Sequence, residues 1–254
     1  MTEIRYPGSN GQASSSAADK VVFTYFDDGT IETRTDQNQT VITYVYNTLR
    51  NLRQQRVTTV GSGVDGTVRR IRTEYTDLAQ VEKISSVDNV TVGSGNTLNE
   101  VKFTYNGYGQ LTKDEQDHDS AVDGSTPSVQ YAYTESTANN HSRLASITYP
   151  NGRLLYMRYT HSATSTWQDE TNDAFSRIGQ LAASSSTDPY IEYTFAGSGR
   201  LVKRKAADGS GNKGNDTQLN LDGGTADEYA GLDLFGRVVD QKASAAGQVS
   251  FGCR

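Results

Sequence analysis

The sequence predicts an all-β protein built as an array of antiparallel β-hairpins. Three observations predict it. A degenerate unit keeps returning: two aromatics two residues apart, a short polar turn, then Gly-Arg-hydrophobic. Short runs alternate β-branched or aromatic residues with polar ones and end at Gly-bearing turns. No segment keeps a helical apolar period for more than two turns.

Composition agrees with many short strands. Only 34% of the 254 residues are apolar, below the usual level of roughly 45–50%, although that benchmark also counts glycine. There are 24 Gly, 4 Pro, and 15 Tyr against 7 Phe. This mix favours hairpins over long helices. The formal net charge is −6, and acidic and basic residues are interspersed. That leaves no basic face for nucleic acid and no polybasic patch for a membrane surface. Cys253 is the one cysteine, so an intrachain disulfide and a cysteine zinc site are both excluded. The stretch Met1 to Pro7 has no apolar signal core, and no window approaches the roughly 18 apolar residues of a membrane span.

In chain order, Val21 to Phe26 alternates, Asp27-Asp28-Gly29 turns, and Ile31 to Thr35 returns, which reads as a hairpin. Val41 to Tyr46 leads through Asn47-Thr48-Leu49-Arg50 to Asn51-Leu52-Arg53. Ile71 to Tyr75 leads through Thr76-Asp77-Leu78-Ala79 to Gln80-Val81. Phe103-Thr104-Tyr105-Asn106-Gly107-Tyr108-Gly109-Gln110-Leu111 is one of the clearest copies. Val129 to Tyr133 opens a unit with a longer turn. Ile147-Thr148-Tyr149-Pro150-Asn151-Gly152-Arg153-Leu154 is a tight version, followed by Leu155 to Tyr159. Asp173-Ala174-Phe175-Ser176-Arg177-Ile178 reads as a turn-plus-strand half. Tyr193-Thr194-Phe195-Ala196-Gly197-Ser198-Gly199-Arg200-Leu201 is a second clear copy, and Asp233-Leu234-Phe235-Gly236-Arg237-Val238 keeps the turn half. The spacing of roughly 20–40 residues lies in the range of repeat architectures.

Polar stretches interrupt this plan at 9–19, 61–66, 88–99, 114–128 and 206–224. They read as insertions at hairpin tips, and 206–224 reads as a flexible one. Residues two apart on a strand share a face. The pairs Tyr44/Tyr46, Phe103/Tyr105, Tyr131/Tyr133 and Tyr193/Phe195 should therefore stack into aromatic stripes across neighbouring hairpins. Arg153, Arg177, Arg200 and Arg237 each follow a turn. They are expected to brace it through the Asp or Asn before it, or through a carbonyl.

Candidate chemistry is sparse. His118, His141 and His161 are scattered over expected insertions or strand exits and read as solvated loop residues. Asp114, Glu115, Asp117, Asp119 and Asp123 evoke a calcium loop. The EF-hand order fails, because Ala121 and Val122 take a ligand position and the glycine position. The run therefore reads as an acidic hairpin tip. Gly209-Ser210-Gly211-Asn212-Lys213-Gly214 matches G-x-G-x-x-G but lacks the strand before it and the helix after it. No Gly-x-Ser-x-Gly elbow exists. The sequence offers no catalytic, metal or cofactor site.

The aromatic-x-aromatic-(Asp/Asn)-x-x-Gly-Arg-Leu pattern resembles the YD repeats of RHS-repeat proteins, a group that includes bacterial polymorphic toxins, toxin-complex subunits and teneurins. About eight units in one register carry the resemblance. They cover the whole chain as one repeat region, 1–254, most clearly 21–240, with no separate domain. The matching positions are Phe103, Tyr105, Gly109, Leu111, Tyr149, Gly152, Arg153, Asp173, Arg177, Tyr193, Phe195, Gly199, Arg200, Asp233, Phe235, Gly236 and Arg237. The chain departs where Phe26-Asp27, Tyr46-Asn47 and Tyr105-Asn106 replace Tyr-Asp, and where Arg50, Ala79 and Ser176 replace Gly.

The resemblance implies a ribbon of hairpins that curves or spirals into a hollow β-shell, without enzymatic activity or cofactor. It implies a secreted or surface-displayed parent protein. The partners it implies are the rest of the array and an enclosed C-terminal polypeptide. A cell-surface glycan or protein bound on a Tyr-rich face is the alternative. The family's self-cleaving core is not found, since Asp188-Pro189 is followed by Tyr190. The chain is expected to be a piece from the middle of an array, so self-cleavage and a cargo toxin are not carried over.

Overall fold

The structure is a computed structural model. It describes residues 2–7, 16, 19–134, 142–159, 167–183, 189–197, 199–206, 217–220, 235, 237–238, 241–245 and 248–253. Asp233, Gly236, His141, His161, Asp188 and the 209–214 glycine motif lie outside them. The chain divides into two compact units, 1–129 and 130–254.

The first unit is an antiparallel meander. Its strands are β1 (Glu3–Arg5), β2 (Lys20–Tyr25), β3 (Ile31–Thr35), β4 (Val41–Tyr46), β5 (Leu52–Thr59), β6 (Arg70–Tyr75), β7 (Val81–Val87), β8 (Thr97–Tyr105) and β9 (Leu111–Asp117). Each pairs antiparallel with the next.

The second unit is mostly β10 (Ser128–Tyr133), β11 (Leu144–Thr148), β12 (Leu154–Arg158), α1 (Trp167–Ala174), β13 (Gln180–Ala182), β14 (Pro189–Ala196), β15 (Arg200–Ala206), β16 (Thr217–Asn220), β17 (Gln241–Ala245) and β18 (Gln248–Cys253). Its consecutive strands also pair antiparallel. The all-β hairpin architecture expected from the sequence is what the structure shows.

One turn recurs. In the reversals that begin at Phe26, Asp36, Asn47, Thr76, Asn106 and Tyr149, the amide of the fourth residue donates to the carbonyl of the first over 2.9–3.0 Å. The amide of the first residue donates to the carbonyl of the fifth over 2.8–3.0 Å. The fourth residue is left-handed: Gly29, Gly109 and Gly152 at φ 84°, 77° and 80°, and Gln39, Arg50 and Ala79 at 67°, 66° and 60°. This is the three-residue hairpin loop whose closing residue needs positive φ. Arg50 and Ala79 have therefore lost the glycine of the repeat but kept its backbone conformation. The penalty is about 1–2 kcal/mol for a side-chain-bearing residue, and the two bracketing hydrogen bonds hold it in place.

Just beyond the turn, the register slips by one residue in β2–β3, β4–β5, β6–β7, β8–β9 and β14–β15. Hairpin β11–β12, with its Pro-Asn-Gly turn, keeps an unbroken register.

Three expectations need correction. Asp173 does not start a hairpin turn. It lies in the last turn of α1, and Ser176, at φ 52°, closes that end with its amide on the Asp173 carbonyl at 3.1 Å. The following strand, β13, begins only at Gln180. Segment 206–224 is not all insertion, because β16 occupies Thr217–Asn220 and pairs with β15 and β17. The acidic run is only partly a tip: Asp114, Glu115 and Asp117 belong to β9, and Asp119 and Asp123 lie in the loop after it. Glu115 is buried there and paired with Lys113 at 2.6 Å. Lys102 is the register partner of Glu115 across the ladder, and an opposite charge at that place favours a carboxylate in a strand.

Replacing Ala79 by Gly should stabilise the chain by about 0.5–1 kcal/mol, because strain relief outweighs the added chain entropy. Gly109→Ala should cost about 1 kcal/mol. Urea denaturation of the two variants checks both; equal and small effects would contradict the shared turn.

Candidate functional site: turns and inter-hairpin joints

In four of the six reversals the residue that opens the turn anchors it; in the turns opened by Phe26 and Tyr149, Asp28 and Asn151 inside the turn accept the fifth amide instead. Asn106 Oδ1 accepts the amides of Tyr108 and Gln110, both at 3.0 Å, and Asn47 Oδ1 accepts those of Leu49 and Asn51 at 3.0 and 2.9 Å. Asp36 Oδ1 and Thr76 Oγ1 each accept the amide of the fifth residue at 3.1 and 3.2 Å. A short side-chain acceptor at this position satisfies amides that the reversal leaves open. This is why the motif wants Asp or Asn after its second aromatic.

That aromatic has its own partner. Tyr75 donates its hydroxyl to the Leu52 carbonyl at 2.7 Å, and Tyr105 donates to the Val81 carbonyl at 2.7 Å. Leu52 and Val81 begin the returning strands of the preceding hairpins. They lie beyond the last rungs to the next strand, which start at Gln54↔Arg72 and Lys83↔Lys102. The tyrosine of one hairpin thus caps the carbonyl that the previous hairpin leaves over.

The tips are laced as well. Arg50 and Asp28 form an ion pair between successive turns, and Gln80 Nε2 donates to the Gly109 carbonyl at 2.8 Å. Two open grooves lie between successive hairpins. One, of about 440 Å³, is lined by Asp77, Glu82, Lys102, Phe103 and Tyr105 among others. The other, of about 390 Å³, is lined by Asn47, Arg53, Thr73, Glu74, Tyr75 and Glu82.

The expected aromatic stripes are realised only in part. Tyr193 and Phe195 share a face with ring centroids 6.4 Å apart. Among the described residues, one ring contact joins neighbouring hairpins, Phe26 edge-on to Tyr46 at 6.3 Å. At Tyr75 and Tyr105 the hydroxyl makes the joint. Burial, then the neighbouring Tyr44, raises the Tyr46 pKa above the usual phenol value.

Of the post-turn arginines, Arg177 makes the expected bond to the Asn before its turn, and Arg177 and Arg153 also reach forward to the next hairpin. Arg177 donates through Nη1 to the Gly197 carbonyl at 2.7 Å and lies 4.4 Å from the centre of the Phe195 ring. Arg153 sits 5.2 Å from the centre of the Tyr190 ring. Arg177 Nε also holds Asn172 Oδ1 at 3.0 Å. Burial lowers the Arg177 pKa. Arg200 is an exposed residue at the start of β15, opposite Ala196. Gly199 is exposed, and the positive φ of that tip, 57°, belongs to Gly197. Leu111 pairs with Tyr105 at the bulge. Phe235 is exposed, with Arg237 5.6 Å from its ring centre.

Sequence reasoning missed two clusters. Arg143 caps the end of α1, donating to the Asp173 carbonyl at 2.9 Å and its carboxylate at 2.7 Å while lying over the Tyr159 ring at 4.3 Å. Tyr159 in turn donates to the Leu144 carbonyl at 3.1 Å. Burial pushes its phenol up, against the opposing charge of Arg143.

The second cluster is the covered face of β5–β9, which is polar: Gln54, Arg70, Ser85, Glu100 and Glu115 are all buried. Loop backbone covers it. The Arg70 guanidinium holds the carbonyls of Thr91 and, at 3.1 Å, Ser94, and the Val122 amide donates to Glu100 Oε1 at 3.2 Å. Ser85 Oγ donates to Glu100 Oε2 at 2.6 Å. The signal in the sequence was the polar residue two places after each post-turn aliphatic: Gln54, Lys83 and Lys113.

Among the described residues, no group of three or more His, Cys, Asp and Glu could hold a metal ion. His118 is an exposed loop residue. No helix among the described residues is long and apolar enough to cross a membrane.

No family model and no curated protein matches the chain. Solved structures do. The Photorhabdus luminescens Tc holotoxin pore with a TccC3 mutation is 10% identical, with a TM-score of 0.35, over 98% of this chain and 15% of that one. A TcdB2–TccC3–TEV crystal structure is 9% identical, with a TM-score of 0.32, over 98% of this chain and 15% of that one.

Tyr105→Phe leaves the Val81 carbonyl without its donor and should cost about 1 kcal/mol. Tyr108→Phe, on a ring 79% exposed, should cost nothing measurable. Urea midpoints of the two variants decide; equal midpoints would remove the joint.

Acid should loosen the 117–126 loop. Hydrogen bonds from the Asp119 amide, and then from Ser120 and Thr126, hold Asp117 below the ordinary aspartate pKa. Bonds from Ser125 do the same for Asp123. A carboxyl with a lowered folded pKa stabilises fully above its unfolded value and loses that stabilisation as pH falls through its folded value. Stability should fall below about pH 4, and Asp117→Asn should flatten that fall in urea midpoints recorded across pH.

Proposed function

We propose that this chain is a non-catalytic structural segment of an RHS/YD-repeat shell, wall built from hairpins in a secreted or surface-displayed protein. The joint carries the reading. The same tyrosine-to-carbonyl bond links β4–β5 to β6–β7 and β6–β7 to β8–β9, so each hairpin completes the one before it. A structure completed by repetition suits a wall. The same turn closes β11–β12 in the second unit, which supports one repeat region over 1–254.

In this reading Phe103, Tyr105, Gly109, Leu111, Tyr149, Gly152, Arg153, Arg177, Tyr193, Phe195, Arg200 and their counterparts up to Arg237 are structural. Asp173 serves as a helix end. The partners are the remainder of the array and an enclosed C-terminal polypeptide. The alternative of a glycan-binding tyrosine face gains no support, because Tyr75 and Tyr105 use their hydroxyls within the wall.

Electron microscopy and limited proteolysis of the product of the whole surrounding reading frame test this. A hollow particle that shields a C-terminal segment from protease is expected. A solid particle with that segment freely digested would overturn it.

A further inference from the structure

On the covered face of the first unit, register places Thr33, Thr43, Arg56, Arg70 and Val87 in one row across β3–β7. The adjacent row runs Gln54, Arg72, Ser85, Glu100 and Asp117 across β5–β9. Three arginines therefore meet on two neighbouring strands, with Arg56 directly opposite Arg70 and Arg72 two residues along. Like charges facing across a ladder repel. The carboxylates nearby are taken up by one of the three: Glu74 lies 3.1 Å from Arg72 Nε and Glu100 3.8 Å from Arg72 Nη2.

Arg70 is 4% exposed and its guanidinium holds only neutral carbonyls. The Arg56 guanidinium has no hydrogen bond or ion pair among the described residues, and its Nε is shut off from solvent unpartnered, as are Arg70 Nε and Gln54 Oε1. Burial, then the charges of Arg72 and Arg56, lowers the Arg70 pKa, which is how a cation cluster behaves when short of anions.

We propose that Arg56, Arg70 and Arg72 form a binding site for a tetrahedral oxyanion, a sulfate or phosphate group. Planar guanidinium forks suit such an anion, whose oxygens bridge more than one fork at once. The side chain of Arg72 is 34% exposed and Arg56 is half-buried, so two of the three arginines are partly open to solvent. Thr43, directly opposite Arg56, adds a hydroxyl beside it; that hydroxyl lies 3.2 Å from Thr58 Oγ1. The site is independent of the shell reading and stands or falls separately.

Calorimetry and thermal melts of the full chain in sulfate, phosphate and chloride at matched ionic strength test it. Sulfate and phosphate should raise the melting temperature above chloride. Arg56→Gln should weaken sulfate binding about tenfold or more. Arg34→Gln removes the same charge from the opposite face and should bind as the parent does. Methyl phosphate bound at least as tightly as inorganic phosphate supports a group carried on a larger molecule, and weaker binding supports the free ion. Equal effects of sulfate and chloride, or equal losses in Arg56→Gln and Arg34→Gln, overturn the site.

Discussion

The hydroxyl-to-carbonyl bonds that Tyr75 and Tyr105 make at the ends of β6 and β8 are the interaction on which the joints of the first unit depend. A hairpin that turns through three residues and then bulges leaves the first carbonyl of its returning strand beyond the last rung. An open carbonyl there would end the sheet or invite a foreign strand. Tyr75 and Tyr105 close it from the next hairpin. That requirement fixes where the tyrosine stands, immediately before the turn. It also explains a tyrosine in place of phenylalanine, since only the hydroxyl reaches a main-chain acceptor.

The turn is the second requirement. An amide acceptor at its first residue and a left-handed fourth residue are both needed for the closing residues to come into register. Glycine meets the second demand without strain at Gly109. Arg50 and Ala79 meet it under strain, because the bracketing hydrogen bonds and the joint leave no other path. The drift of the repeat is thus drift of side chains over a fixed backbone.

The covered face shows why so few apolar residues suffice. Among the described residues the buried apolar side chains are Val21, Val87, Ala182 and Val202. Loops, not a second layer of side chains, cover the middle of β5–β9, and loop backbone carries donors and acceptors that must be met. Arg70 and Glu100 meet them. Meanwhile Ile71 and Ile84, on the other face, stay about one-third exposed.

The sequence by itself determined the hairpins, their order and the turn positions, because alternation and Gly- or Asx-bearing turns are local signals. Tertiary structure alone decided the rest. That a post-turn arginine also reached the next hairpin depended on what lay beside it: Arg177 holds Asn172 before its own turn and, beyond it, the Gly197 carbonyl and the Phe195 ring. Asp173 looked like a turn opener, yet the Arg143 guanidinium and Tyr159 beside it made it the end of a helix. The convergence of Arg56, Arg70 and Arg72 came from strand register set by bulges, and a one-residue slip is not visible in any single strand.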